Sequence, residues 1–397
     1  MKKSLIALAA LAATGAFAQS TVTIYGRAHV AYDAQYSVTG SVLGAAGDVK
    51  SRRRVADDGS RIGLRISEDL GGGLRAFSVI ETGVNLDTAT ANGQSGAANS
   101  GTGFFGTREA HVGIGNNTAE LRLGRQNVFW GMGPTEDVGA NRISGGVGSS
   151  YTAPSSGWLS APAARMENTV QVVGGADLGG FAGSSVWFAH PVAAESTAVG
   201  AEVKAVAQGV TVRYITGPFS VQYDYAANKN GTNDLALATN TNATGNKIGL
   251  AYVYAPGSKV YFANAVFARE YTLATTNDDA LAVSAAGALT GGYRKQSSNQ
   301  IGVQHRMGAM ELHAQYVTQG NVKGFGGQSL ADSGSKAYAV AARYELSKRT
   351  ALTASYNIIT NGAANNMNIS GGGQSSVAAT IAGSDLKVLR ASIQHQF

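Results

Sequence analysis

A two-residue alternation of apolar and polar positions runs through almost the whole chain. The last stretch, ASIQHQF, sets Leu389, Ala391, Ile393, His395 and Phe397 on one side. Val388, Arg390, Ser392, Gln394 and Gln396 fall on the other. Successive side chains of a strand point to opposite faces, so this reads as a strand with one apolar and one wet face. A frayed chain end would not need that rhythm. The same pattern opens the chain at TVTIYGRAHVAYD, residues 21–33. It returns in RIGLRIS, LRAFSVIET, REAHVGIG and AELRLGRQ, and sharpens in KIGLAYVY, MELHAQYV, AYAVAARYEL and ALTASYNI. About sixteen such segments occur, and helical periodicity is almost absent.

The connections alternate in length. Short ones fall at Gly71-Gly72-Gly73, Asn116-Asn117, Thr216-Gly217-Pro218, Pro256-Gly257-Ser258, Met307-Gly308-Ala309 and Ser347-Lys348-Arg349. Long polar ones fall at about 34–58, 84–106, 226–246, 272–298, 319–335 and 361–384. Short turns on one rim and long loops on the other predict an all-β, transmembrane antiparallel β-barrel, with short periplasmic turns and long external loops. The apolar parity carries many tyrosines, which suit a membrane interface. The wet parity is mostly Gly, Ser, Thr, Gln and Arg. In a soluble core each unpaired polar group would cost about 1–3 kcal/mol. A water-filled lumen carries no such cost, so the pattern predicts a channel. The terminal strand is expected to pair with residues 21–33 and close the ring, leaving no edge.

The ends and the composition narrow the setting. MKKSLIALAALAATGAFAQS has two lysines, a short apolar run and an A-x-A close, the pattern of a secretory signal over residues 1–18 cleaved before Gln19. The mature part, 19–397, then forms a single barrel domain. Export takes Lys2 and Lys3 from the 31 basic residues set against 25 acidic ones, leaving a small positive excess. That is not the clustered charge of a nucleic-acid binder. The absence of cysteine means that no disulfide holds the fold. No metal-ligand spacing occurs among the six histidines, and no cofactor is expected. A barrel enzyme would need a Ser/His/acid set, and neither G-x-S-x-G nor evident partners for the histidines occur. A soluble exported β-protein would face its apolar parity to a core. A substrate-specific channel is the alternative to a general pore.

Parity then proposes the pore wall. With Ile62, Leu64 and Ile66 facing lipid, Arg61 and Arg65 face inward. Arg27 and His29 face inward on the first strand, and Arg75 and Glu81 share an inward parity, because mid-membrane Arg on a lipid face costs about 2–4 kcal/mol. That parity also turns Phe77 inward, for which the sequence offers no reason. Arg122 is inward if Leu121 and Leu123 are outward. Arg125 then has the wrong parity, which places it at a strand end or beyond a bulge. The run Arg52-Arg53-Arg54 reads as charge in an external loop, solvated or in contact with lipopolysaccharide.

The segments TVTIYGRAHVAY, SRIGLRISEDLGGGLRAFSVIETG, TREAHVGIG, LRLGRQNV, SKRT and the final IQHQF resemble the general porins of β-proteobacteria, the Comamonas-type and neisserial porins. The resemblance implies a 16-strand homotrimeric diffusion pore in the outer membrane, with lipopolysaccharide around it. It implies that Phe397 is the signal read by the barrel-assembly machinery. It implies a third long loop folded into the lumen as a constriction. Here the candidate is Val128 to about Met166, with acidic Glu136 and Asp137 and basic Arg142 and Arg165. His29 departs from the family pattern, which often has Asp there. A basic wall facing two loop acids sets a transverse field and biases the pore weakly toward anions.

Overall fold

The computed structural model describes residues 20–38, 52–87, 106–128, 165–189, 206–229, 241–271, 282–283, 289–290, 293–324, 329–365, 367, 383 and 385–397. The first wall strands are β1 (Thr21–Val38), β2 (Arg52–Asp57), β3 (Arg61–Gly71), β4 (Leu74–Gly83), β5 (Glu109–Gly115) and β6 (Ala119–Asn127). Next come β7 (Arg165–Gly174), β8 (Ser185–Ala189), β9 (Val206–Thr216), β10 (Phe219–Lys229), β11 (Thr241–Ala255) and β12 (Ser258–Tyr271). A two-stranded ribbon, β13 (Ala282–Val283) with β14 (Leu289–Thr290), stands apart. The wall continues with β15 (Tyr293–Met307), β16 (Met310–Gln319), β17 (Ser335–Glu345), β18 (Thr350–Asn361) and β19 (Asp385–Gln396).

The wall strands pair antiparallel with their neighbours around the ring, and β19 returns to β1 with Arg27 opposite Gln396 and Val38 opposite Asp385. Strands β2 and β3 share one wall position against β1, so the closed ring has 16 positions. The extra residue between them is a bulge. Val30 faces Asp57 and Arg27 faces Arg61, so two residues of β1 span three on the partner. The Asp57 carboxylate holds it by accepting the N–H groups of Gly59 at 2.9 Å and Ser60 at 3.1 Å.

Alternation explains the two faces. Val22, Ile24, Val112, Ile114, Leu121, Leu123, Val170 and Val172 are exposed outward. Gln300, Gln304, Gln315, Ser355 and Asn357 are buried on the inner side. Short turns join the strands at one rim; Gly72 and Gly73 adopt φ of 62° and 79° there, a conformation glycine takes without strain. At the opposite rim the strands run on. With 14 residues in β12 and 15 each in β11 and β15, they exceed the 9–11 that cross a bilayer.

Two expectations change. Arg52-Arg53-Arg54 is not loop: it forms β2 on Ala34 and Gln35, and Arg54 Nε lies 3.3 Å from Asp33 Oδ2. Above the membrane no lipid selects an apolar face, so a polar strand reads as loop. The inner face is also less uniformly small or polar than the sequence suggests. Trp187, Phe267, Met166 and Val128 form a buried inward cluster with several alanines. Large inward rings cover glycines, Trp187 over Gly209 and Tyr261 over Gly302, which shields backbone that a missing side chain would expose.

Candidate functional site

The inner wall of β1 and β3–β7 lines a cavity of about 470 Å³. Alternate residues of β4 face it: Arg75 nearest the short-turn rim, then Phe77, Val79 and Glu81. On β3, Arg65 and Arg61 climb beside them; on β6, Glu120 and Arg122; on β5 and just before it, Arg108, Glu109 and His111. Arg165, at the start of β7, lines the same cavity within the field of Arg108, Glu109 and Glu81.

Glu81 organises the upper part. Its Oε1 accepts from Arg108 Nε at 2.6 Å, its Oε2 accepts from the Tyr25 hydroxyl at 3.1 Å, and Arg61 Nε stands 3.5 Å away. Glu120 does the same lower down, taking Arg122 Nη2 at 2.5 Å and an ion pair with Arg75. Among the described residues neither Arg65 nor Arg165 has a carboxylate ion-pair partner. The Arg65 guanidinium instead lies 4.1 Å from the Tyr25 ring centre. Phe77 packs over Gly113, where an added Cβ would come within 2.3 Å of its ring. The Arg75 and Arg122 guanidiniums flank that ring at 5.3 and 5.9 Å.

The cavity therefore gathers Arg61, Arg65, Arg75, Arg122, Arg165 and Glu81. Two expected basic residues lie elsewhere. Arg27 is inward but buried, its Nη2 donating to the carbonyls of Asp58 at 3.0 Å and Gly59 at 2.9 Å, so it braces the bulge. Arg125 sits at a register shift between Gly124 and Gln126 and is held by Glu167 Oε1 at 2.5 Å and the Thr107 carbonyl at 3.1 Å. Glu136, Asp137 and Arg142 lie outside the described residues, as do residues 1–18 and most of the 128–166 segment. Phe397, just past the end of β19, packs against Gly26.

Sequence reasoning missed Arg108, Glu109, His111 and Glu120. The signal was present for three of them. Val112 and Ile114 outward set Glu109 and His111 inward, and Glu120 shares the parity of Arg122. Arg108 precedes its strand, where parity has not begun.

A family model described as Gram-negative porin matches residues 4–364. Outer membrane porin protein 32 of Delftia acidovorans is 42% identical over 134 residues, 32% of each chain. Major outer membrane protein P.IB of Neisseria gonorrhoeae is 34% identical over 141 residues, 36% of this chain and 35% of that one. The matched stretches span about a third of these curated relatives' length. Among solved structures, an anion-selective porin from Comamonas acidovorans superposes with a TM-score of 0.67 at 21% identity, over 96% of this chain and 100% of that one. OmpT of Vibrio cholerae, in its in-vitro folded trimer form, gives 0.63 at 12% identity, over 95% and 99%. At these identities the structural likeness is one of fold.

Proposed function

The chain belongs to the Gram-negative porin family, and from that premise we propose that it forms a water-filled pore for passive diffusion of small hydrophilic solutes and ions, weakly preferring anions. Its place is the outer membrane of a Gram-negative bacterium. The observation that carries the preference is the charge of the cavity wall. Arg61, Arg65, Arg75, Arg108, Arg122 and Arg165 face it against Glu81, Glu109 and Glu120. Three basic charges remain in excess on one side of a low-dielectric cylinder, which raises the local anion concentration. The opposite inner wall, on β15–β18, is largely neutral Gln, Ser and Asn, and offers water hydrogen-bonding groups. The test is the reversal potential of the refolded protein in a planar bilayer under a KCl gradient. A potential favouring chloride is expected; a cation preference would overturn the reading of the arginine wall.

The 128–166 segment is proposed as the constriction, with Glu136 and Asp137 opposing the basic wall, because its ends at Asn127 and Arg165 both border the cavity. Residues 1–18 are the export signal in this reading, with 19–397 the barrel, and Phe397 the feature read by the assembly machinery. The assembly is a homotrimer surrounded by lipid and lipopolysaccharide. Tyrosine placement supports a subunit contact. Exposed outward tyrosines lie mainly on β9–β11, β17 and β18, at Tyr214, Tyr223, Tyr252, Tyr254, Tyr338, Tyr344 and Tyr356, with Tyr32 on β1. The outward faces of β3–β7 carry Ile62, Val112, Ile114, Leu121, Leu123, Val170 and Val172 but no aromatic ring among the described residues. A wall without an interfacial aromatic belt suits protein contact better than lipid. The pore needs no cofactor in this reading, and no catalytic step is assigned to it.

A further inference from the structure

Two aromatic rings point into the wet side of the barrel beside the arginines, and passage of small inorganic ions gives them nothing to do. Tyr25 and Phe77 both line the cavity, half-buried, so part of each ring faces the aqueous space. Each covers a glycine, Gly63 and Gly113. Glycine cover alone does not account for their surroundings. Tyr261 covers Gly302 on another part of the wall with its hydroxyl donating to Gln315, and Lys259 is the cation near its ring. At Tyr25 and Phe77 three guanidiniums converge, Arg65 at 4.1 Å, Arg75 at 5.3 Å and Arg122 at 5.9 Å from the ring centres. His111 adds its edge to Phe77, 6.4 Å between centres at 84°.

We propose that this patch is a binding subsite for planar aromatic carboxylates, which the pore takes up in preference to aliphatic anions of the same charge and size. The inference rests on the anion-pore reading and deepens it. The chemistry is a pair of complementary demands. A guanidinium offers a fork of N–H donors that matches a carboxylate in two parallel bonds. Arg65 has no carboxylate partner among the described residues, and Arg75 and Arg122 share the single carboxylate of Glu120, so donors remain for a solute. The flat body of an aromatic acid then lies against Phe77 or Tyr25 in an offset or edge-on arrangement. A halide gains from the first demand only, and an aliphatic acid gains little from the second. The cavity, about 470 Å³, falls within the roughly 300–1,000 Å³ typical of small-molecule sites. It stays open to the lumen, so the solute binds weakly and leaves, as transport requires.

The test uses the full barrel in a planar bilayer carrying chloride current. Sodium benzoate and sodium cyclohexanecarboxylate are added in separate titrations, since they share charge and bulk and differ in the planar ring. Benzoate is expected to reduce the current at a concentration roughly two- to ten-fold lower. Phe77→Leu, which keeps bulk over Gly113, and Tyr25→Leu are each expected to narrow that ratio toward one. Tyr261→Leu, the same kind of change away from the arginines, is expected to leave it in place. Equal reduction by the two acids in the native protein would overturn the subsite, as would a ratio untouched by both Phe77→Leu and Tyr25→Leu. Loss of the ratio in Tyr261→Leu as well would also overturn it, by showing a general disturbance of the barrel. A channel that conducts but rejects chloride would instead overturn the anion-pore reading itself.

Discussion

Phe397 lies across Gly26, and the two residues exchange backbone hydrogen bonds, Gly26 N–H to the Phe397 carbonyl at 3.0 Å and Phe397 N–H to the Gly26 carbonyl at 3.2 Å. The last residue of the chain is thus the final rung of the seam that closes the barrel. Its ring fills the place a side chain at position 26 would take. An added Cβ there would come within 2.3 Å of the ring and 2.8 Å of the Arg61 carbonyl.

Gly26→Val should therefore displace Phe397 and loosen the seam. Overpacking of this kind costs about 1–3 kcal/mol, concentrated at the one joint that carries no chain connection. The expected result is a lower temperature at which the folded band of unboiled protein converts to the unfolded band on a denaturing gel. Phe397→Ala, which removes the ring and leaves Gly26 bare, should lower it less. An unchanged transition in Gly26→Val would show that the ring does not hold the seam.

Farther along the same seam, Asp33 and Arg390 stand opposite each other and form two hydrogen bonds, at 2.5 and 2.8 Å, with both side chains about 1% exposed. Asp58 Oδ2 lies 3.5 Å from Arg390 Nη1, and Arg54 also reaches Asp33. Removing one member of such a buried pair leaves the other uncompensated, at a cost of about 3–5 kcal/mol. Asp33→Ala should lower the urea midpoint of the refolded barrel clearly. Asp33→Ala with Arg390→Met, which removes both charges and keeps apolar bulk, should recover much of the loss. If the double variant is no better than Asp33→Ala, the carboxylate is holding Arg54 or the bulge rather than balancing Arg390.

Most of the wall was legible because lipid on one side and water on the other force a two-residue period onto every strand. Ile62, Leu64 and Ile66 fixed the inward parity of Arg61 and Arg65, and the terminal Phe397 parity predicted closure on β1. The rest was hidden for identifiable reasons. The bulge at Asp58-Gly59-Ser60 brings the Asp58 and Gly59 carbonyls to Arg27 and makes it a brace, and at the register shift between Gly124 and Gln126 the extra residue lies on β7, where Glu167 takes up Arg125. Arg52-Arg53-Arg54 lies where strands rise past the membrane and both faces are wet. Phe77 had no reason until Gly113 came opposite it, a pairing that only the β4–β5 register reveals.

The tyrosine asymmetry gives a prediction about assembly. If β3–β7 form the subunit contact, a charge placed on that outward face should break it without opening the barrel. Val112 is 56% exposed in the single chain and carries no partner that its replacement would strand. Val112→Lys should shift the detergent-corrected mass from light scattering toward that of one chain, while the heat-modifiable folded band persists. The same substitution at Val340, 53% exposed on β17 within the tyrosine-bearing wall, should leave the mass unchanged. Equal effects at the two positions would remove β3–β7 as the contact.

Selectivity should respond to charge in opposite directions at two positions of the same cavity wall. Glu120 neutralises part of Arg75 and Arg122, so Glu120→Gln raises the net positive charge of the wall by one. Arg65 has no carboxylate partner among the described residues and faces the cavity, so Arg65→Gln removes a charge that solutes feel in full. A unit charge about 5 Å from a passing ion contributes about 0.8 kcal/mol in water, with opposite sign for chloride and for potassium, so before screening each change should alter the chloride-to-potassium permeability ratio roughly ten- to twenty-fold. Glu120→Gln should raise the ratio and Arg65→Gln should lower it. The measurement is the reversal potential across a KCl gradient at low and high ionic strength. Screening over about 10 Å at 0.1 M and about 3 Å at 1 M should shrink both effects at high salt. Shifts of the same sign in the two variants would mean that the constriction, rather than this wall, sets the preference.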